Sequence, residues 1–190
     1  VGFVASVAAM RSWRVLAVLG LHLGLCFAYA KLKRRMPYLK ALYVSLCVVY
    51  MAVAAPAAFA PGLISAPGAA TLVRLLLLIF GISFTIENLQ DIRDVREDRA
   101  AGVVTLPSGL GAECTARLLL IVQALAAAAH CGLAWAAGLP LRPDLLVLYA
   151  CCGVFTTYFR ERTPRSLFQI ILEPLYVAPL AVAVLRMALT

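Results

Sequence analysis

Long runs of apolar residues alternate with short polar segments along the chain, and this pattern predicts membrane-spanning helices. About 20 apolar residues in a helix are needed to cross the hydrocarbon core of a bilayer. Six runs come close to that length, at residues 13–30, 41–59, 70–90, 114–137, 144–159 and 167–189. We therefore predict an all-α fold, a polytopic membrane helix bundle with about six transmembrane helices in a single domain over residues 1–190.

The composition supports the same class. Hydrophobic residues make up 64% of the 190 residues and charged residues only 14%, whereas about half of a soluble domain is apolar. The six cysteines lie mostly inside the apolar runs. We expect them to be buried thiols, because no spacing typical of a disulfide framework or a zinc site is present.

The distribution of positive charge predicts the topology. The net charge is +8, and most lysines and arginines fall in alternate connecting segments, at residues 31–40, 91–99 and 160–165. By the positive-inside rule these segments face the cytoplasm, or the equivalent stromal or matrix compartment. No nucleic-acid partner is needed to explain the charge. Arg74 lies towards the opposite ends of the spans, where we expect it to extend to the interface.

An acidic segment follows the third apolar run. Four acids recur at intervals of three or four residues: Glu87, Asp91, Asp94 and Asp98. On a helix over residues 87–99 they fall within an arc of roughly 60°. Three arginines fall on the opposite side: Arg93, Arg96 and Arg99. Like charges at these spacings destabilise a helix by a few tenths of a kcal/mol per pair, so a merely solvated charged loop explains the pattern less well than a cation site does.

The residue types at this site favour Mg²⁺. Carboxylate oxygens are hard ligands, and no histidine or cysteine lies nearby in the sequence. Magnesium is usually held by a few carboxylates together with waters and substrate phosphates, so we predict a diphosphate ligand. The basic segment 31–40, which we call the basic loop, contains Lys33, and Tyr29 lies just before it in a Y-x-x-x-K spacing. We expect both side chains to contact the oxygens of the diphosphate. Arg34 and Arg99 are further candidates for binding the diphosphate.

The segment "DIRDVREDRAAGVVTLP" resembles the second aspartate-rich motif of the UbiA-type intramembrane prenyltransferases. Its matching positions run in the order and spacing of that motif: Asp91, Asp94, Asp98, Arg99, Gly102, Thr105, Leu106 and Pro107. "YAKLK" is similar to the Y-x-x-x-K segment of the same family, two spans upstream. Glu87 matches an acid often found four residues before the motif.

The resemblance implies a function. Members of the family are bundles of nine transmembrane helices that transfer a prenyl group from a prenyl diphosphate to an aromatic or other lipophilic acceptor, with Mg²⁺. The carry-over makes Asp91, Asp94 and Asp98 the catalytic metal ligands, assisted by Glu87. Tyr29 and Lys33 then contact the diphosphate, and Lys33 is also catalytic because its charge stabilises the departing diphosphate. The segment after them, "GVVTLPSGLG", is expected to be a loop in which Gly102 and Pro107 break the helix.

The chain departs from the family in one important respect. The first aspartate-rich motif has no counterpart, because no aspartate precedes Asp91. The six predicted spans correspond to the last six of nine. We therefore expect a fragment that is inactive alone and is completed by a missing N-terminal segment or a second chain.

Three alternatives stay open to different degrees. One is an inactive membrane protein that binds prenyl diphosphates without turnover. Another is a CDP-alcohol phosphatidyltransferase, which also uses spaced aspartates. Its motif is not matched, because Val95 follows Asp94 and no aspartate stands four residues after Asp98. A transporter is the third, although no internal repeat is evident.

Overall fold

Seven helices make up most of the protein in a computed structural model that describes residues 13–33, 35–59, 69–160, 163–164 and 166–170. They are α1 (Trp13–Leu32), α2 (Lys40–Phe59), α3 (Ala69–Arg93), α4 (Val95–Ala100), α5 (Leu106–Leu110), α6 (Ala112–Ala136) and α7 (Pro143–Tyr158). Residues 166–170 are also helical, and no strand occurs in the described ranges. The predicted all-α class is confirmed.

The apolar runs correspond closely to the long helices. The first five predicted spans coincide with α1, α2, α3, α6 and α7 to within about three residues at each end. Within the described ranges, three helical segments are long and apolar enough to cross a membrane: Trp13–Leu32, Leu72–Arg93 and Ala112–Ala136. Lys40–Ala52 and Pro143–Tyr158 are shorter apolar segments. The sixth predicted span, 167–189, lies almost entirely outside the described residues.

Helices α1 and α2 run antiparallel. Tyr43, near the start of α2, donates its hydroxyl to the carbonyl of Leu25, 2.8 Å away near the end of α1. One and a half to two turns further along α2, the hydroxyl of Tyr50 reaches the carbonyl of Val18 at 3.3 Å. Residue numbers therefore rise along α2 while those of the contacting residues fall along α1, as in an antiparallel pair. Such bonds satisfy tyrosine hydroxyls that would otherwise be costly inside a bilayer.

Helix α3 lies at the centre of the bundle, since it contacts α2, α4, α5, α6 and α7. Its core residues recur every three or four positions and are at most 1% exposed: Leu78, Ile82, Ile86, Leu89 and Ile92. They pack with Leu119 of α6 and with Tyr149 and Cys152 of α7. By contrast, α1 exposes large apolar side chains such as Trp13 and Phe27, the surface that a lipid-facing helix presents.

A buried polar contact joins α3 to α6. The amide nitrogen Nε2 of Gln123 donates to the carbonyl of Gly81 at 2.7 Å and also to the hydroxyl of Thr85. Gln123 is 3% exposed and Thr85 is fully buried. The two helices are in contact here, because a Cβ at position 81 would lie 3.6 Å from the Cβ of Ala126 on α6.

Arg74 does not extend to the interface as the sequence predicted. Its side chain is 5% exposed, with Nη2 3.0 Å from Nε2 of His130 and 3.2 Å from the carbonyl of Pro140. This contact brings the beginning of α3 next to the end of α6. The prediction failed because an arginine near a helix end is also able to turn inward when a neighbouring helix offers neutral acceptors.

We expect Gln123→Leu to destabilise the bundle by about 1 kcal/mol, since it removes a hydrogen bond and leaves the Thr85 hydroxyl buried without it. The measurement is reversible unfolding in mixed micelles, followed by circular dichroism. Leu125→Ala is the control, because that side chain on α6 is 65% exposed and makes little packing contact. Equal stability of Gln123→Leu and the wild type would contradict a structural role for this bond.

Candidate functional site

The acidic segment places one carboxylate inside the bundle. Asp91 lies in the last turn of α3 and is only 2% exposed. It is buried because its neighbours Leu89 and Ile92 belong to the core. Burying a charged carboxylate is costly unless it is paired. The identity of its partner therefore decides the chemistry of this end of the bundle.

The partner is Lys40, the first residue of α2. Its ammonium nitrogen Nζ lies 2.5 Å from Oδ1 of Asp91 and 3.4 Å from Oδ2 of Asp98. All three side chains are less than a fifth exposed. The ammonium thus bridges α3 and α4 from a third helix, and the two aspartates converge as the sequence predicted.

The sequence analysis did not single out Lys40. It counted as one of several basic residues in the loop 31–40, whose charge the positive-inside rule explains. A signal was available, however. An ammonium group in the first turn of a helix is repelled by the positive end of the helix dipole, so a lysine there needs a compensating acidic partner.

Tyr29 also lies near the acids. It is close enough to Lys40 and to the carboxylates of Asp91, Glu87 and Asp98 to interact with them electrostatically. The ring of Tyr29 stacks on that of Tyr43, with centroids 5.7 Å apart. Because the hydroxyl of Tyr43 is itself bonded to α1, the stack holds Tyr29 in place. We name Glu87, Asp91, Asp98, Lys40 and Tyr29 the acidic site.

The other residues of the basic loop predicted to bind the diphosphate, Lys33 and Arg34, are not seen to contact the acids in the part of the chain that the structure describes. Lys33 follows α1 and is exposed; its backbone nitrogen donates to the carbonyl of Tyr29 at 2.9 Å. The lysine that contacts the acids is Lys40 instead. Arg34 lies outside the described residues. The predicted contacts of Lys33 and Arg34 with a diphosphate therefore stay predictions.

Asp94 is turned towards Arg93. The helix predicted over 87–99 is interrupted at this residue, where α3 ends and α4 begins, with φ −93° and ψ 10°. Both carboxylate oxygens accept from the neighbouring guanidinium, Oδ1 from Nε and Oδ2 from Nη2, each at 2.6 Å. The guanidinium carbon also lies 5.3 Å from the centre of the Phe168 ring. The expectation that Arg93 points away from all the acids was wrong, because its long side chain reaches the carboxylate of the next residue.

Helix α4 carries Asp98 and ends in a well-defined turn. The backbone nitrogen of Val103 donates to the carbonyl of Asp98 at 2.8 Å, and that of Gly102 donates to Arg99 at 3.2 Å. This pair of bonds is a Schellman motif, which requires a left-handed residue. Gly102 supplies it with φ +69°. The predicted helix break at Gly102 is confirmed.

Pro107 begins a helix and does not break one. Thr105 and Ser108 form a capping box at the start of α5, in which each side chain accepts from the backbone nitrogen of the other residue. Proline suits the first turn of a helix, where a backbone donor would have no acceptor. The sequence prediction placed this segment in a loop because five residues are too few to show a helical period.

The basic loop and the segment after α4 pack against each other. The backbone nitrogen of Tyr38 donates to the carbonyl of Val104 at 3.0 Å. A Cβ at Gly109 would clash with the Tyr38 ring, so only glycine fits under the ring in its present position. Arg99, predicted to bind diphosphate, is exposed and donates from Nη2 to the carbonyl of Ser108 at 3.0 Å. These contacts position the chain just before Lys40.

The carboxylates fit the chemistry of a divalent cation. Oδ2 of Asp91 is buried and has no hydrogen-bond partner, so the side chain retains an oxygen able to accept a ligand. Hard oxygen donors of this type suit Mg²⁺. As the side chains stand, no three Asp, Glu, His or Cys groups among the described residues are arranged to hold a metal ion. The ammonium of Lys40 instead lies against two of the carboxylates.

Comparison with known proteins gives one clear similarity. The model of the UbiA prenyltransferase family matches residues 1–172. No curated protein and no solved structure matches the chain. The matched range contains every residue of the acidic site.

We expect Asp91→Leu and Lys40→Met each to destabilise the protein by roughly 3–5 kcal/mol, because either change leaves a mostly buried charge without its principal partner. The double variant should be more stable than the sum of the two losses predicts. The measurement is a double-mutant cycle of unfolding free energies in mixed micelles without divalent metal. Strict additivity of the two changes would show that the pair contributes no coupling energy.

Proposed function

The chain belongs to the UbiA prenyltransferase family, a family of membrane prenyltransferases, and on this basis we propose that its acidic site binds a prenyl diphosphate through Mg²⁺. The prenyl group would pass to an aromatic or other lipophilic acceptor. The observation that carries the proposal is Asp91, a buried carboxylate with one unpartnered oxygen, facing Asp98 across the ammonium of Lys40.

Each acidic residue has a role in the proposal. Asp91 and Asp98 hold the metal, with Glu87 beside them. Asp94 joins as the fourth acid when its carboxylate rotates away from Arg93. A Mg²⁺ ion held by these residues would supply positive charge that stabilises a departing diphosphate.

The residues of α1 and its loop bind the other side of the diphosphate. Tyr29 donates its hydroxyl to a phosphate oxygen, held in place by its stack on Tyr43. Lys33 and Arg34 lie further along the same segment and add positive charge. Their contribution is largest as the C–O bond breaks, because negative charge then concentrates on the diphosphate oxygens.

The same charge distribution supports an orientation. The basic loop 31–40 meets the acidic segment at one end of the bundle, as the contact of Lys40 with Asp91 shows. We propose that this end faces the cytoplasm, stroma or matrix, since most of the cations lie in the segments that connect the helices there. A water-soluble diphosphate head then enters from that compartment while its prenyl tail enters the bilayer.

The 190 residues carry a single aspartate-rich segment, whose first aspartate is Asp91. We therefore propose that these residues alone bind the prenyl diphosphate without turning it over. A second acidic motif, from an N-terminal segment or another chain, would complete catalysis. Binding without turnover is also the behaviour of the alternative, a prenyl-diphosphate-binding membrane protein.

We expect Mn²⁺, used as a paramagnetic substitute for Mg²⁺, to bind the detergent-solubilised protein in the presence of geranyl diphosphate. Asp91→Asn and Asp98→Asn should each weaken this binding at least about tenfold, because each removes a charged ligand. The measurement is the loss of the free Mn²⁺ signal in electron paramagnetic resonance. Unchanged binding in both variants would contradict the assignment of the metal ligands.

Glu113→Gln is the matched control for these variants. Glu113 is an exposed acid near the start of α6 and pairs with Arg117 at 2.6 Å. Its loss changes the net charge by the same amount, yet it should leave Mn²⁺ binding as in the wild type. Product formation from a labelled prenyl diphosphate, assayed in parallel, separates a transferase from a protein that only binds.

A further inference from the structure

Lys40 lies against the carboxylates at which the proposed metal would bind. Its ammonium contacts one oxygen of Asp91 and one of Asp98, at 2.5 and 3.4 Å. These two carboxylates are the ones that the proposed function assigns to the metal. A divalent cation bound to the same carboxylates, through Oδ2 of Asp91 for example, would lie close to the ammonium, and the two positive charges would repel strongly. The two cations therefore compete for these carboxylates in this arrangement.

We propose, on the basis of the function proposed above, that Lys40 is a resident cation that occupies the acidic site without metal and is displaced when a divalent cation binds. The displaced ammonium then binds the diphosphate that arrives with the metal. Lys40 is thereby a further substrate-binding residue as well as a competitor of the metal.

The need for a resident cation follows from burial. Asp91 is 2% exposed, and a buried carboxylate without a counter-charge is unfavourable by several kcal/mol. Without Lys40, the metal-free protein would keep this carboxylate near that of Asp98 with no cation between them. The ammonium therefore stabilises the empty site, at the expense of its affinity for metal.

Lys40 is also well placed to move. The side chain carries its point charge on a flexible four-carbon stem, and its ammonium is repelled by the N-terminal end of the α2 dipole. The backbone just before it is held in place. Tyr38 is bonded to Val104 at 3.0 Å, and the nitrogen of Leu39 donates to Met36 at 3.2 Å. Displacement therefore requires rotation of the side chain alone and no movement of the helix.

Two effects on binding follow. In the absence of diphosphate, the metal has to displace the ammonium, which lowers the affinity of the site for metal. When diphosphate is present, the displaced ammonium gains a new anionic partner, so diphosphate strengthens metal binding beyond the direct contact between the two ligands. Removal of the lysine charge should reverse the first effect and reduce the second.

The first test measures the affinity of the full 190-residue chain for Mn²⁺ alone, then with inorganic pyrophosphate. Lys40→Met should bind Mn²⁺ alone at least about fivefold more tightly than the wild type, within the range of couplings between linked ligands. The increase in Mn²⁺ affinity on addition of pyrophosphate should be smaller in this variant than in the wild type. Lys31→Met is the control, because Lys31 is exposed in the last turn of α1 and carries the same charge.

Equal or weaker Mn²⁺ affinity in Lys40→Met would overturn the proposal. If Asp91→Asn nevertheless abolishes Mn²⁺ binding in the wild-type background, the metal site stands and only the displacement fails. If wild type and Lys40→Met both bind no metal, with or without pyrophosphate, the proposed function fails together with the displacement. The three outcomes are therefore distinct.

A second test uses the unaltered chain, in case Lys40→Met does not fold. Acetic anhydride labels accessible amines, and mass spectrometry reports the extent of labelling at each lysine. Labelling of Lys40 should rise when Mn²⁺ is added alone and fall again when pyrophosphate is added, while that of Lys31 stays constant. Labelling of Lys40 that does not respond to Mn²⁺ would overturn the proposal.

Discussion

The ion pair between Lys40 and Asp91 is the interaction on which the arrangement of this end of the bundle depends. Asp91 is buried because α3 is the central helix, and a buried carboxylate needs a cation. That need brings the start of α2 against the end of α3, and the second contact, to Asp98, fixes the position of α4. The stacked tyrosines of α1 and α2 then complete the group around it. Four helices are thus organised around one charge.

The parts of the structure that the sequence predicted are those that depend on a long pattern. The apolar runs predicted the bounds of α1, α2, α3, α6 and α7, because a helix of 16 to 25 residues contains several turns of the same signal. The acidic spacing predicted that Asp91 and Asp98 face one side. Gly102 was recognised because a left-handed turn favours one residue type.

The parts that the sequence did not predict depend on single contacts. In the sequence, Lys40 resembles the other cations of the loop, and only the packing of α2 against α3 brings it to Asp91. Arg93 pairs with Asp94, the residue next to it, and helical periodicity predicts no contact between adjacent side chains. Arg74 turned inward because His130 and Pro140 offer acceptors from distant parts of the chain. Which side chains contact one another depends on the tertiary structure, and the pattern of a single sequence does not predict it.

The bond from Gln123 to Gly81 and Thr85 has a consequence for the acids, although it touches none of them. Together with the buried apolar face of α3, it favours one angle of the helix about its own long axis. Asp91 follows Thr85 by six residues, a distance of about 9 Å along the helix, so the direction of its carboxylate is set by that angle. Turning α3 by one residue, about 100°, would aim the carboxylate away from Lys40 while keeping the helix intact. An uncharged amide in the middle of the bundle therefore helps to orient a charged group at its end.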